Sequence, residues 1–169
     1  LKKLISRAAI NQRVRELARE ISLDYEGRNP VLVCVLKGAF VFLADLLREI
    51  CVPVEIDFLS ITSYNNRQSS GVVRLNGDLT INIEGRDVLV VEDIIDTGRT
   101  IGYILENLKT RKPRSLAICT LLDKKDRRVV EVALDYVGFE IPSKFVVGYG
   151  LDYDNKYRNL KYIGVVSGE

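Results

Sequence analysis

The sequence predicts an α/β domain: a mainly parallel, twisted sheet with helices on both faces and a small hood. Two observations carry this. Short unbroken apolar runs, VLVCVL at 31–36 and DVLVVED at 87–93, read as strands buried on both faces. They alternate with stretches whose apolar residues recur at helical spacing, the pattern of right-handed strand–helix–strand units. The 169 residues, 47% of them hydrophobic, suit one domain spanning 1–169 with a real core.

In chain order, residues 7–22 place Ile10, Val14, Leu17, Ala18 and Ile21 on one face of a helix, with Arg and Glu opposite. Strand 31–36 follows, bounded by Asn29-Pro30 and Lys37-Gly38, and residues 39–50 read as a second helix. VEIDFLSIT (54–62) alternates loosely as a strand, and SYNNRQSSG (63–71) has the composition of a polar loop long enough to move. Strand 87–93 leads through IIDTGRT into a helix ending near Lys109. Segments 116–122, 136–141, 145–152 and 163–166 are further strand candidates, the late ones forming the hood or an edge addition. No repeat, low-complexity tract or linker interrupts the chain.

Composition removes whole classes of chemistry. There is no histidine, which excludes Ser-His-Asp and Cys-His nucleophiles, His-ligated zinc and His general bases. Cys34, Cys51 and Cys119 lie far apart in apolar segments without CxxC spacing, so buried free thiols in a reducing compartment are expected. Lys+Arg 25 against Asp+Glu 23 gives a net charge of +2, too balanced to argue for nucleic acid or a membrane surface. No apolar run approaches the roughly 20 residues that span a bilayer, and no secretion signal opens the chain. A cytoplasmic location is expected.

Ligands of open α/β sheets bind beyond the carboxyl ends of the strands. Three such ends stand out: Leu36-Lys37-Gly38, the run from Glu92 to Thr100, and Leu122-Asp123-Lys124. Asp96-Thr97-Gly98-Arg99-Thr100 lies between a buried strand and a helix, where outward N–H groups, a glycine and two hydroxyls make a phosphate cradle. The same residues also suit an ordinary strand-to-helix turn capped by Thr or Asp. No GxxxxGK[ST] loop is present. Glu92 and Asp93 are costly at the end of an apolar strand unless solvated, hydrogen-bonded or metal-bound. Beside an anion site they make sense as acceptors for sugar hydroxyls, or with Mg²⁺ between them and the phosphates. Together these features spell a phosphorylated sugar.

VLVVEDIIDTGRT (88–100) resembles the signature that binds 5-phosphoribosyl-1-diphosphate (PRPP) in type I phosphoribosyltransferases, and its EDIIDTG form resembles the hypoxanthine(-guanine) branch. VLKGAF (35–40), DFLSITSY (57–64), KPRSLAICTLLDK (112–124) and VGFEIPSKFVVGYGLDYDNKYRNL (137–160) match in the same order, so the resemblance runs from about residue 8 to 166.

The resemblance implies the type I phosphoribosyltransferase fold and a Mg²⁺-dependent transfer from PRPP to hypoxanthine, and to guanine, in purine salvage. Asp96, Thr97, Gly98, Arg99 and Thr100 would wrap the 5′-phosphate, and Glu92 and Asp93 the ribose hydroxyls. Lys37 and Gly38 would form the pyrophosphate loop, where the family typically has a cis or switchable peptide before the lysine. Ser63 and Tyr64 would sit on a lid, and Arg158 would neutralise the leaving group. Phe145 and Ile94 would sandwich the base, Lys124 would donate to its 6-oxo group, and the Val146 main chain would meet its edge. Asp152 would hold a second Mg²⁺, with Glu92 and Asp93 as the other metal-facing carboxylates, and its carbonyl would meet guanine's amine. Asp96 would take the purine proton. A homodimer or homotetramer is implied. Ser143 stands where relatives often carry Asp, a position without a catalytic part. Lys124 and Phe145 suit a xanthine- or guanine-preferring enzyme as well, and RNA-binding pyrimidine-operon regulators share the fold and the PRPP loop but would carry a basic face and a different acidic motif; the acidic pair with Asp96 and the near-neutral charge favour the enzyme.

Overall fold

A computed structural model describes residues 1–64 and 72–167, without the side chains of Ser63, Tyr64 and Val72. Its main sheet has six strands in the order β4-β3-β2-β5-β6-β7. These are β2 (Val31–Leu36), β3 (Glu55–Tyr64), β4 (Val72–Gly77), β5 (Asp87–Ile95), β6 (Ser115–Asp123) and β7 (Tyr136–Glu140). All neighbours are parallel except β4, which returns antiparallel along β3.

The unbroken apolar runs are buried twice, as their composition requires. Leu32, Cys34, Leu89, Val91, Cys119 and Leu121 face one core, against α1 (Arg7–Asp24) and α2 (Phe40–Glu49). Val31, Val33, Val35, Val88, Val90 and Ile118 face the other, against Ile101, Ile104 and Leu108 of α3 (Arg99–Lys109). The period-two alternation of strands thus serves both helical layers. Helix α1 starts where Ser6 accepts a hydrogen bond from the Ala9 N–H at 3.1 Å, and Arg13 ties it to β7 through the Val137 and Gly138 carbonyls.

A second, antiparallel sheet joins β1 (Lys2–Ile5), β9 (Ile163–Val165) and β8 (Val146–Val147) in the order β1-β9-β8. This is the hood, and it differs from expectation in taking a strand from the N-terminus and in the length of its strand after Phe145. It takes one strand from the N-terminal segment, where KKLI buries only Ile5 and so carries no alternating apolar pattern. Segment 136–141 is an edge addition, joining the main sheet beside β6 as its last strand. The strand expected over 145–152 stops after two residues, because Gly148, Tyr149 and Gly150 have φ of 100°, 51° and 98° and turn the chain out of the extended region.

Cys34 and Cys119 are buried free thiols, whereas Cys51, beyond the end of α2, is exposed and corrects the expectation of three core cysteines. Among the described residues no helix is long and apolar enough to cross a membrane.

Candidate active site

The three strand ends singled out above converge at one rim of the main sheet, because β2, β5 and β6 are adjacent and parallel. At the centre, β5 ends in Glu92-Asp93-Ile94-Ile95. Glu92 is only 6% exposed, and burial holds its carboxyl well above the usual carboxylate range, with the Asp93 charge adding to the rise. Burial raises Asp93 as well, opposed by the Ile94 N–H, which donates to Oδ1 at 2.7 Å, and by the Arg158 charge. On the neighbouring strand β2, opposite Val91, burial pushes the Cys34 thiol up to about 12, and both carboxylates contribute. These two acids are loaded with unfavourable charge that a hydroxyl donor or a cation would relieve.

The Leu36–Lys37 peptide is cis, as the resemblance implies. Gly38 lies so close against β5 that a Cβ there would lie 1.7 Å from Asp93 Oδ2. Gly150 closes the other side of this loop: a Cβ on it would lie 2.4 Å from the Gly38 carbonyl oxygen. Arg158 donates to the Gly150 carbonyl at 2.7 Å and pairs with Asp152 at 3.3 Å, while Asp152 Oδ2 accepts the Asn155 N–H at 2.8 Å. Asp93, Gly38, Gly150, Arg158 and Asp152 are therefore joined by successive close contacts, and Lys37 precedes Gly38 in the same loop.

The 96–100 turn leads from β5 into α3. Gly98 has φ 86° and stands at the helix N-cap, where the N–H groups of the first turn have no carbonyl within the helix to meet. From below, the Val129 and Val130 N–H groups both donate to the Thr97 carbonyl, at 2.9 and 3.0 Å. A side chain at 98 would meet the Val130 oxygen at 2.5 Å, so the position requires glycine for space and for φ together. Arg99 is exposed, consistent with a contribution through its backbone.

Beside this turn is a cavity of about 240 Å³. Ile94 and Phe145 supply apolar walls, Val146 and Leu151 line it, and Lys124, Asp93, Asp96 and Asp152 bring the polar atoms. The five expected base-site residues are thus in one place. Phe145 is 45% exposed, too open for a core aromatic, and Tyr153 meets it edge-on at 5.6 Å between ring centroids. Lys124 is buried, its N–H donates to Ile95 at 2.9 Å, and its Nζ lies 3.7 Å from Asp96 Oδ2. Arg127, which the sequence reading passed over, donates to Asp96 Oδ1 at 2.7 Å. Leu151 and Gly150 were also missed; the run KKDRR (124–128) was the visible signal for Arg127 alone. Residues 65–71 and the side chains of Ser63 and Tyr64 lie outside the described residues, so the expected lid does too.

The model of the phosphoribosyl transferase domain matches residues 3–154, most of the chain. The chain belongs to the phosphoribosyl transferase domain family. Within that family it is 49% identical over 167 residues to a hypoxanthine-guanine phosphoribosyltransferase of Streptococcus thermophilus, covering 98% of this chain and 93% of that protein. It is 52% identical to the bifunctional protein TilS/HprT of Listeria monocytogenes, covering 99% of this chain but 26% of that one. The chain therefore spans about a quarter of the length of that relative. A crystal structure of a hypoxanthine-guanine phosphoribosyltransferase from Bacillus anthracis, with HEPES in its active site, superposes with a TM-score of 0.94 at 48% identity and covers 98% of both chains. The fold is the type I phosphoribosyltransferase fold.

Proposed function

We propose that this domain transfers the phosphoribosyl group of PRPP to the 6-oxopurines hypoxanthine and guanine, releasing pyrophosphate, with IMP and GMP as products. The single observation that carries the reading is the meeting of an aromatic-walled cavity, Lys124 and Asp96 with the acidic pair Glu92-Asp93 and the α3 N-terminus. Near half identity to hypoxanthine-guanine phosphoribosyltransferases along almost the whole chain supports it.

The 5′-phosphate binds at residues 96–100, where N–H groups without a carbonyl partner inside the helix and the helix dipole favour an anion. Glu92 and Asp93 accept the ribose hydroxyls, and Lys37, Gly38 and Arg158 receive the pyrophosphate. Ile94 and Phe145 hold the base between them. The Lys124 ammonium donates to a 6-oxo group and would meet a donor, the amino group, in adenine. The Val146 main chain reads the base edge, and the Asp152 carbonyl reads guanine's amine. A purine nitrogen attacks the anomeric carbon as its bond to pyrophosphate breaks, with inversion, and Asp96 takes the proton near N7. Ser63 and Tyr64 belong to the segment that would exclude water.

Mg²⁺ fits the donor set. Among the described residues no three His, Cys, Asp or Glu side chains gather as a protein cage. Mg²⁺ is ordinarily held by one or two carboxylates, with substrate oxygens and water completing its shell. Glu92 and Asp93, both raised by burial and Glu92 further by the Asp93 charge, would hold it with Asp152, and it would shield the phosphates and the departing pyrophosphate.

A homodimer or homotetramer in the cytoplasm completes the reading. The test is IMP formation from hypoxanthine, PRPP and Mg²⁺ alongside a salt titration of RNA binding. Turnover supports the enzyme; no turnover with steep salt-dependent RNA binding would favour the regulator instead.

A further inference from the structure

We propose that Arg127 is a positioning residue for the transfer step, fixing the Asp96 carboxylate so that one oxygen stays turned toward the base cavity. The inference rests on the reading of Asp96 as proton acceptor and deepens it. Arg127 Nε donates to Asp96 Oδ1 at 2.7 Å. Lys124 Nζ stands 3.7 Å from Oδ2, beyond hydrogen-bond length. Asp96 and Lys124 line the base cavity and Arg127 does not, so the guanidinium holds the carboxylate from outside.

Arg127 is itself held on both sides. It ends a single 3₁₀ turn, Lys125–Arg127, with its N–H on the Lys124 carbonyl at 3.0 Å. Two residues on, Val129 and Val130 are bonded to Thr97, next to Asp96. Arg128, next to Arg127, pairs with Asp123 at the end of β6, and its Cδ lies 3.0 Å from where a Cβ on Gly98 would sit. The segment that presents Arg127 is therefore anchored to the same loop that carries Asp96.

A carboxylate rotates easily about its last torsion. Released from Arg127, the Asp96 group would be free to swing onto Lys124 and close the 3.7 Å gap, taking both the acceptor oxygen and the 6-oxo donor out of the cavity. The pair is no fold anchor, since the Arg127 and Asp96 side chains are 51% and 41% exposed, and exposed ion pairs contribute little to stability.

The test is steady-state kinetics with PRPP, Mg²⁺ and hypoxanthine on the wild type, Arg127→Ala, Arg127→Lys, Asp96→Asn and the double variant Arg127→Ala/Asp96→Asn, with thermal unfolding of each. Arg127→Ala is expected to lower kcat by about 10- to 100-fold while the KM for PRPP and the melting temperature hold. Arg127→Lys should recover part of the loss. In the Asp96→Asn background, Arg127→Ala should cost nothing further. An equal loss in both backgrounds, or no loss of kcat with Asp96 present, would overturn the proposal. Normal turnover by Asp96→Asn alone would overturn the acceptor reading and this inference with it.

Discussion

The Asp93 carboxylate occupies the space that a side chain at Gly38 would need: a Cβ there would lie 1.7 Å from Oδ2 and 2.6 Å from Cγ. Loop and strand end are thereby locked to each other, and the Lys37–Gly38 loop can take its place only while residue 38 is glycine. Gly38→Ala is expected to push Asp93 or the loop aside, an overpacking cost of about 1–3 kcal/mol. At roughly 2–4 °C per kcal/mol for a chain of this size, the melting temperature should drop by several degrees. The KM for PRPP should rise with it. Calorimetry and initial rates check this, and an unchanged variant would contradict the contact.

Glu92 stores instability that depends on pH. Its folded carboxyl is raised, so its contribution to stability is fully present below the ordinary glutamate value and is lost as pH rises through the raised one. Asp93 shifts in the same direction. Glu92→Gln cannot ionise, so its melting temperature should exceed that of the wild type at pH 8, with the gain shrinking toward pH 4. Activity should fall with the lost acceptor. A gain of equal size at both pH values would exclude ionisation as its source.

Asp96→Asn keeps the shape of the side chain and removes its capacity to take a proton. The expected result is a kcat lower by about 10²- to 10⁴-fold, the range of general-base contributions, with a normal fold by circular dichroism. Pre-steady-state rates would separate this from slow product release.

Lys124→Ala removes the donor assigned to the 6-oxo group. A hydrogen bond to a charged group is worth about 1.5–3 kcal/mol, so preference for hypoxanthine over adenine should fall by roughly 10- to 150-fold in kcat/KM. A preserved preference would move 6-oxo recognition elsewhere in the cavity.

Much of this architecture was legible because burial writes itself into strands. VLVCVL and DVLVV carry no polar face, and both lie in the middle of the sheet. β1 and β4 were illegible for the opposite reason: both are edge strands, and KKLI and VVRLNG mix charge with apolar residues. The break after Val147 depends on three consecutive positive φ values, one of them at a tyrosine, which no periodicity announces. At the site, the 96–100 turn could be read locally, whereas the placing of Lys124 beside Asp96, 28 positions earlier, needed β5 and β6 to be neighbours. The packing of Gly150 on the Gly38 carbonyl and the bond from Arg127 to Asp96 are tertiary facts; a glycine and a basic run are too common to indicate them.

The central claim is that PRPP and a 6-oxopurine meet in this cavity. It is tested most directly by offering hypoxanthine, guanine, xanthine, adenine and uracil in parallel with PRPP and Mg²⁺ and measuring nucleotide formed from each. Hypoxanthine and guanine are expected to be converted, with adenine and uracil left unreacted. Conversion of uracil or adenine in preference to the 6-oxopurines would contradict it.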